Sequence, residues 1–490
     1  MTAAEPAAAP VSEYLPLSVP DGDLPAGLQP PATGFPVNRT AAVIFAETAR
    51  HGGEARIVGG AVRDWLLGLP VREIDMATTL PPKTATSVLQ AAGMKIIPTG
   101  ISHGTITVTP AEKTTEEMIA DSSYPLPTVE LTTLRRDVRS DGRHAEVLFG
   151  TDWKADAERR DFTINALYLD ARGRLTDPVG GLVDLAARRI RFIGEPVQRI
   201  REDGLRILRL FRFHAIYAAT APSHSLAAAG SADQRDFEDQ LAAVRAEAAI
   251  LDRLSGERLA KELAGLLKAD AAAATLQLME DCGLGEQLLA GPINAALLIQ
   301  LLAWCAEADV AARLAAIICQ RSATASGTAR LSAIVSRLRL GQRLADRLAF
   351  LLAPIDTETI IGLLDDTYAT GKTGKVTGSN AGTTWQYHAW SVLRGGDGGK
   401  RFTAADLAVR LHLSLFGDAA LAPCLESPSV QAQLQNIASW VLPRFPLSGA
   451  DLRAAGHAEG PALGKRLGQL EECWARGGFQ ASRKLLLERI

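Results

Sequence analysis

Hydrophobic and polar positions follow different patterns in the two halves of this chain. Residues 38–51 carry apolar side chains at helical spacing, whereas 95–98, 103–109 and 128–134 are the short apolar or alternating runs of β-strands. From residue 236 onward the sequence is rich in Ala and Leu and reads as helical. The pattern therefore predicts strands and helices in the first half and helices alone in the second.

The stretch 56–78 begins as a short apolar strand, turns at Gly59 and Gly60, continues as a helix of about two turns and ends in a second strand. The two glycines allow the backbone to approach a bound group without a Cβ collision. The start of the helix offers free N–H groups that favour phosphate, and Arg63 in its first turn can bind phosphate oxygens. The stretch therefore predicts a phosphate-binding turn.

Three acidic residues extend this prediction towards metal binding. Glu73 and Asp75 are two positions apart, so they are expected on the same side of the second strand. Two neighbouring carboxylates repel each other unless a cation lies between them, and Mg²⁺ is the usual partner. Glu130, in the run 128–134, is the candidate third carboxylate if its strand joins the same sheet. The alternative is a set of surface acids on exposed strands.

A second charged motif occupies residues 159–166. Two arginines and an acid, with Arg160 directly before Asp161, precede an apolar run and can hold a triphosphate and ribose hydroxyl groups. Asn165 is expected to face the same way as Asp161 on a strand and to brace the site by hydrogen bonds. A solvated charge cluster at the end of a strand is the alternative interpretation.

A helix is predicted over 199–213, with polar residues every three positions at Asp203, Arg206, Arg209 and Arg212. Asp203 accepts hydrogen bonds and Arg206 donates them. This pair can therefore present a template to the Watson–Crick edge of cytosine or adenine. The alternative is an ordinary stripe of ion pairs on an amphipathic helix.

Composition changes this picture in three respects. A chain of 490 residues with 47% hydrophobic content should form several domains. Its five cysteines without paired spacing indicate reduced thiols in a cytosolic protein. The net charge is only −3, yet residues 186–212 contain eight arginines against three acids, a local basic patch suited to a triphosphate and an RNA end. Residues 1–36, rich in Ala and Pro without Lys or Arg, predict a disordered leader, and no apolar run is long enough for a membrane span.

These motifs resemble the class II tRNA nucleotidyltransferase/poly(A) polymerase family. Residues 59–64 match its Gly-Gly-x-Val-Arg-Asp signature, 159–166 match Arg-Arg-Asp-Phe-Thr-x-Asn-Ala, and 202–206 match Glu-Asp-x-x-Arg. The Asp-x-Asp pair of the family reads Glu-x-Asp at 73–75, which keeps the charge but lengthens one side chain by about 1.5 Å. The resemblance is strong over 37–270 and is greatest to the bacterial CCA-adding members.

The resemblance implies an α+β fold. An N-terminal nucleotidyltransferase head, built from a small mixed sheet with helices, would be followed by an all-helical neck, body and tail. The neck would contain the base-selecting helix and a flexible insertion at 217–235. The implied divisions are a disordered leader at 1–36, the catalytic head at 37–178, the neck at 179–270, the body at 271–430 and an RNA-binding tail at 431–490.

The implied activity is template-independent addition of C, C and A to the 3′ end of tRNA, from CTP and ATP, by two-metal nucleotidyl transfer with Mg²⁺ as cofactor. Glu73 and Asp75 would hold the metal ions, Glu130 would complete the catalytic set, and a loop at 135–143 would switch between bases. No membrane or protein partner is implied, and the expected compartment is the cytoplasm. The nucleotide-binding residues implied by the resemblance are Gly59, Gly60, Arg63, Arg160, Asp161, Asp203, Arg206, Arg209 and Arg212.

Three other functions are compatible with the sequence. A poly(A) polymerase of this family tends to show a Gly-Arg-Arg-Phe type segment where this chain has His-Gly-Thr at 103–105. A partial enzyme that adds only CC, or only A, would differ in the loop at 135–143. An inactive RNA-binding scaffold that kept the fold is favoured only by the glutamate at position 73.

Overall fold

The chain forms two compact units, Met1–Leu254 and Ser255–Ile490. Strands occur in the first unit, and all the regular structure described in the second is helical, which confirms the predicted α+β class. The finer division into head, neck, body and tail remains a prediction. The computed structural model describes residue 17 and the ranges 24–100, 104–111, 128–140, 145–218, 232–320, 326–364, 385–395, 402–417 and 421–488.

The first unit is built on strands β1 Ala55–Val58, β2 Ile74–Thr78, β3 Met94–Gly100, β4 Thr105–Pro110, β5 Val129–Thr133, β6 Arg135–Ser140, β7 Ala145–Phe149, β8 Tyr168–Asp170 and β9 Leu175–Thr176. Seven of these described strands form one sheet in the order β3-β4-β5-β2-β1-β8-β9, and β6 pairs with β7 separately. Strands β2 and β5 are parallel, whereas the other neighbours in the sheet are antiparallel. The predicted mixed sheet is therefore confirmed.

Eight helices are described in the first unit, and the first three of them pack on this sheet. Their bounds are α1 Arg39–Arg50, α2 Gly60–Leu66, α3 Pro82–Ala91, α4 Trp153–Glu158, α5 Gly181–Ala186, α6 Pro196–Glu202, α7 Arg206–Phe213 and α8 Ala232–Glu247. Helix α1 begins where predicted, because the Asn38 side chain accepts a hydrogen bond from the Ala41 backbone N–H (2.8 Å). It buries Ile44 and Phe45 and lies against β1.

Part of the segment predicted to be a disordered leader is packed on the first unit. Phe35 is fully buried, and its ring meets the Trp65 ring edge-on at 5.6 Å. Leu17 pairs with Phe35 in a β-bridge and is also buried. The prediction of disorder over 1–36 is therefore wrong for 24–36, because a few apolar side chains in an Ala- and Pro-rich segment suffice to cover α2. The rest of the segment, apart from Leu17, lies outside the described residues.

The segment 135–143, predicted as a flexible loop, begins as a strand. β6 pairs antiparallel with β7, and Arg139 lies opposite Glu146 in that register. The charged composition suggested a loop, but a ladder of backbone hydrogen bonds forms between polar strands as well as apolar ones. Residues 141–144 lie outside the described residues.

The insertion predicted at 217–235 is helical at both of its ends. Helix α7 continues into a π-helical turn at His214–Ala218, and α8 begins at Ala232. The prediction of an irregular segment is wrong for these end residues, where helical hydrogen bonds continue. The remaining residues, 219–231, lie outside the described part of the chain.

The regular structure described in the second unit is helical. The buried Arg330 guanidinium donates to the carbonyl oxygens of Leu289 and Ile318, both at 2.9 Å, and thereby satisfies the ends of two helices. None of the described helices of the chain is long and apolar enough to cross a membrane. The helices are α9 Gly256–Leu267, α10 Ala272–Asp281, α11 Gly285–Leu289, α12 Ala295–Trp304, α13 Val310–Ile318, α14 Ser326–Leu338, α15 Gln342–Leu352, α16 Thr357–Leu364, α17 Trp385–Gly395, α18 Ala404–Gly417, α19 Pro428–Ser439, α20 Gly449–Ala454, α21 Pro461–Arg476 and α22 Arg483–Leu487.

Candidate active site

One row of residues crosses four neighbouring strands and places two carboxylates side by side. Asp75 on β2 lies opposite Glu130 on the parallel strand β5. On its other side, Asp75 lies opposite Val58 of β1, which in turn lies opposite Tyr168 of β8. Because directly opposite residues point to the same face, Asp75 and Glu130 share one face of the sheet, on strands about 4.8 Å apart.

The Asp75 carboxyl reaches solvent at its tip but lies among protein atoms and other charges. Its pKa is raised from 3.8 to about 6, first because the group is partly desolvated. The negative charges of Glu130 and Glu73 add to the rise. The guanidinium groups of Arg160 and Arg63 oppose it. Two other carboxylates and two arginines therefore act on the charge of Asp75.

A divalent cation fits this donor set. Asp75 and Glu130 offer carboxylate oxygens on adjacent strands, and a cation would relieve their mutual repulsion. Within the described residues, no three His, Cys, Asp or Glu side chains form a ready-made metal cluster. A bound cation would therefore keep positions for water and phosphate oxygens, as Mg²⁺ does where it binds through one or two carboxylates.

Glu73 lies just before the strand on which it was predicted. β2 begins at Ile74, and the Glu73 side chain is exposed. The alternation of a regular strand therefore does not fix the direction of Glu73 relative to Asp75. Its charge still acts on Asp75, since it contributes to the raised pKa of that carboxyl. The role of Glu73 as a metal ligand remains a prediction.

The two-glycine turn leaves room for two guanidinium groups. Gly59 has a φ of 69°, which a residue with a side chain rarely adopts, and a Cβ there would lie 3.4 Å from Arg160 Nη1. Its N–H donates to the Leu167 carbonyl (3.1 Å) just before β8. At Gly60, the first residue of α2, a Cβ would lie 3.4 Å from Arg63 Nη2. The glycines thus bring the backbone against the arginines predicted to bind phosphate.

Asp156 is a site residue that the sequence motifs did not reveal. Its fully buried carboxylate accepts hydrogen bonds from Arg159 Nε (2.9 Å), Arg160 Nη2 (3.0 Å) and the Tyr168 hydroxyl (2.9 Å). Burial alone would raise the pKa of Asp156, but the charges and hydrogen bonds of Arg160 and Arg159 hold it below its ordinary value. The spacing of three and four residues between Asp156 and these arginines was the available signal.

Asp161 links the arginine motif to α7. Its Oδ1 accepts from Asn165 Nδ2 (3.0 Å), and its Oδ2 accepts from Arg209 Nε (2.6 Å). Desolvation would raise the pKa of Asp161, but Arg209 and these hydrogen bonds lower it below its ordinary value. The strand predicted here is wrong, because Thr163–Asn165 forms a 3₁₀ turn. Asn165 therefore reaches Asp161 across a turn, and the predicted bracing hydrogen bond is present.

The single helix predicted over 199–213 is broken at Asp203. Helix α6 ends at Glu202, Asp203 is extended (φ −150°, ψ 105°), and α7 begins at Arg206. The Asp203 carboxylate accepts from the Leu205 backbone N–H (3.1 Å), a local turn that competes with helix. Arg206 Nη1 pairs instead with Glu202 Oε2 (2.7 Å). The prediction of one helical stripe that contains both Asp203 and Arg206 is therefore wrong. The role of these two residues in base selection remains a prediction.

The arginine-rich segment 186–212 is largely neutralised within the first unit. Six of its eight arginines form ion pairs with acids. Most of its positive charge is therefore paired within the fold and does not form an open basic surface. Arg212, near the end of α7, lies over the Phe213 ring at 4.8 Å. The pairs are Arg189 with Asp184 and Asp233, Arg191 with Asp184, Arg199 and Arg206 with Glu202, Arg201 with Glu247, and Arg209 with Asp161.

Removal of the Asp75 charge should stabilise the protein when no divalent cation is bound. The carboxyl has an ordinary pKa of 3.8 and a pKa of about 6 in the folded protein, so the folded state retains its proton between these values. Stability is therefore lost as the pH rises through this window and stays lower above it. The effect is modest, because solvent screens a group that it reaches.

Thermal unfolding in EDTA measures this effect. We expect Asp75→Asn to unfold at a higher temperature than the wild type at pH 8, with the difference shrinking towards pH 4. Added Mg²⁺ should then raise the unfolding temperature of the wild type more than that of the variant. A variant that is less stable than the wild type at pH 8 in EDTA would contradict the electrostatic strain assigned to Asp75.

The mixed sheet, its adjacent carboxylates and the glycine turn beside two arginines define a nucleotidyltransferase head. Comparison with protein families agrees with this class. The poly A polymerase head domain matches residues 55–191. The domain described as the probable RNA and SrmB-binding site of polymerase A matches residues 238–296.

Known relatives extend the similarity along the chain. CCA tRNA nucleotidyltransferase 1, mitochondrial, of Danio rerio is 32% identical over 438 residues, which cover 89% of this chain and 87% of that protein. The CCA-adding enzyme of Geobacillus thermodenitrificans is 35% identical over 247 residues, 50% of this chain and 53% of that enzyme. The chain therefore belongs to the CCA tRNA nucleotidyltransferase family, which shares the poly(A) polymerase head domain.

Solved structures share the fold. The Bacillus stearothermophilus CCA-adding enzyme in complex with CTP matches with a TM-score of 0.58 at 24% identity, over 92% of this chain and 97% of that one. The Thermotoga maritima CCA-adding enzyme complexed with tRNA matches with a TM-score of 0.58 at 16% identity, over 91% and 93% of the two chains. At these identities the similarity concerns the fold.

Proposed function

We propose that this protein adds C, C and A to the 3′ end of tRNA, with CTP and ATP as donors. The observation that carries the proposal is the pairing of Asp75 with Glu130 on adjacent strands, beside the Gly59 turn and the Arg160 guanidinium. That arrangement suits nucleotidyl transfer. The choice of tRNA and of the CCA sequence is supported by the identity to a CCA tRNA nucleotidyltransferase across most of both chains.

In the proposed reaction the 3′-hydroxyl oxygen of the tRNA attacks the α-phosphorus of the nucleotide. A bond forms between that oxygen and the phosphorus, the bond from the phosphorus to the β-phosphate oxygen breaks, and pyrophosphate leaves. Mg²⁺ held by Asp75 and Glu73 would supply neutralisation of the phosphate charge and activation of the hydroxyl. Glu130, beside Asp75 in the register, would either help to bind the metal ion that activates the hydroxyl or accept the hydroxyl proton.

Arg160 and Arg63 supply the positive charge for the triphosphate. The Arg160 side chain is 19% exposed and that of Arg63 is 8% exposed, so Arg160 is the better placed for direct contact and Arg63 acts from behind the glycine turn. Asp156 fixes Arg160 through two hydrogen bonds. An arginine held in this way loses little freedom when phosphate binds.

Base selection is assigned to Asp203 and Arg206, with Glu202 as the residue that orients Arg206. Arg206 Nη1 donates to Glu202 Oε2 and to the Arg199 carbonyl (2.8 Å), which fixes its guanidinium at the start of α7. An acceptor at Asp203 and donors at Arg206 match groups that cytosine and adenine both offer. Arg209 and Arg212 would extend this contact along α7, while tRNA is recognised by shape and backbone.

Extension of tRNA that lacks its last three nucleotides tests the proposal. With Mg²⁺ and both CTP and ATP, we expect three added nucleotides, and with CTP alone we expect two. A long tail with ATP alone would identify a poly(A) polymerase, whereas addition that stops after CC in the presence of both nucleotides would identify a partial enzyme. No extension under any condition would overturn the enzyme assignment in favour of an RNA-binding scaffold.

The proposed compartment is the cytoplasm. It is supported by the five cysteines without paired spacing, which fit the reduced thiols of a cytosolic protein. The relatives from Danio rerio and Mus musculus carry mitochondrial names, so the compartment needs a separate test. Fractionation of cells that express the tagged full chain should place it in the cytoplasm, and enrichment in an organelle would overturn the assignment.

A further inference from the structure

Tyr217 lies in the π-helical turn that follows α7, beside Arg63. Its hydroxyl donates to Asp64 Oδ1 (2.8 Å), and the same oxygen accepts from Arg63 Nε (2.9 Å). The Arg63 guanidinium carbon lies 4.4 Å from the centre of the Tyr217 ring and 5.1 Å from that of Phe213. Tyr217 therefore holds Arg63 in two ways, through a shared carboxylate and through a cation–π contact.

Two members of this cluster are closed to solvent, whereas the Asp64 side chain is 25% exposed. Tyr217 is 5% exposed and Arg63 is 6% exposed. Burial is the main reason that the pKa of Tyr217 is raised, so its hydroxyl keeps the proton that it donates to Asp64. The Asp64 oxygen that binds Arg63 is held in place by the Tyr217 hydroxyl, so loss of that hydroxyl allows the carboxylate to shift and to change the direction of the guanidinium.

Arg63 joins this cluster to the arginine motif at 159–166. Its Nη1 donates to Asn165 Oδ1, and Asn165 in turn holds Asp161 (3.0 Å). The direction of the Arg63 guanidinium therefore affects the arginine motif through Asn165 and Asp161.

We propose that Tyr217 is a positioning residue for nucleotidyl transfer, which acts by fixing the Arg63 guanidinium against the Gly60 turn. The inference rests on the proposed function, where Arg63 is assigned to the triphosphate. Because Tyr217 follows α7, whose first residue Arg206 is assigned to base selection, the same contact ties the base-reading helix to the triphosphate side of the site.

Tyr217→Phe tests the proposal, since it keeps the ring and removes the hydroxyl. We expect kcat/KM for CTP and ATP to fall about fivefold to tenfold, mainly through KM, because one hydrogen bond to a charged group is lost. The unfolding temperature should fall by no more than roughly 10 °C, so that the variant stays folded in the assay. Tyr387→Phe is the matched control in α17, where Arg476 lies over the tyrosine ring at 5.1 Å, and should leave these constants unchanged.

A double-mutant cycle separates positioning from a general structural effect. In an Arg63→Lys background, Tyr217→Phe should cause little further loss, because the group that it positions has already been replaced. Additive losses, or unchanged constants in Tyr217→Phe, would overturn the proposal. The wild type in the same series tests the proposed function by itself. If the wild type adds no nucleotide, the affinity for CTP is measured for the wild type, both single variants and the double variant. Losses of affinity that are not additive support the positioning role of Tyr217, and equal affinities in the four proteins overturn it.

Discussion

Asp75→Ala is expected to reduce nucleotide addition at least about 10³-fold while tRNA affinity stays within about twofold. The substitution removes one carboxylate from the row that contains Glu130, and with it several kcal/mol of charge stabilisation by a bound metal. Each 1.4 kcal/mol corresponds to about tenfold in rate. The rate of the chemical step is measured by single-turnover addition of CMP from CTP to shortened tRNA. A binding assay without nucleotide measures tRNA affinity.

The control for this variant is Glu54→Ala. Glu54 is a carboxylate directly before β1 in the same sheet, and its side chain is 63% exposed. We expect near-normal addition in this control. Losses of activity of similar size in Asp75→Ala and Glu54→Ala would contradict the assignment of Asp75 to the metal site.

The same assay tests Glu73. Unchanged activity in Glu73→Ala would show that position 73 is not a metal ligand, whereas Glu73→Asp should be neutral or beneficial.

The features of the site that depend on neighbouring residues were predictable from the sequence. The Gly59 turn follows a short apolar strand, and its positive φ agrees with the reason for expecting glycine there. The alternation around Asp75 and Glu130 predicted a strand for each. Their side-by-side placement depends on the parallel pairing of β2 with β5, and only the family resemblance anticipated that Glu130 would lie near Asp75.

Contacts between distant segments could not be predicted from local sequence patterns. Tyr217 and Asp64 are 153 positions apart, and neither residue alone indicates that they meet. The break at Asp203 is similar, because helical periodicity continues through it. A Cβ at the next residue, Gly204, would lie 2.7 Å from the Ile250 side chain, so packing against a later segment decides the local backbone. These features follow from tertiary packing, which overrides a periodic pattern.

Asp156→Asn is expected to have the largest effect on stability and a large effect on activity. The buried carboxylate pairs with Arg159 and Arg160 and accepts from Tyr168, so its neutralisation leaves two arginines without their counter-charge. Removing one partner of a buried ion pair costs about 3–5 kcal/mol, which corresponds to a fall of roughly 6–20 °C in unfolding temperature for a unit of this size. A displacement of Arg160 by about 1 Å would reduce nucleotide addition about 100-fold.

Asp152→Asn is the matched control, because it makes the same chemical change on the same helix. Asp152 is the exposed N-cap of α4 and accepts from the Lys154 and Ala155 backbone N–H groups. Asparagine caps helices about as well as aspartate, so we expect little loss of stability or activity. Asp156→Asn with near-normal unfolding temperature and activity would show that Arg160 holds its direction without this charge. A stable but inactive Asp156→Asn variant would show that Asp156 orients Arg160 but is not needed for the stability of the head.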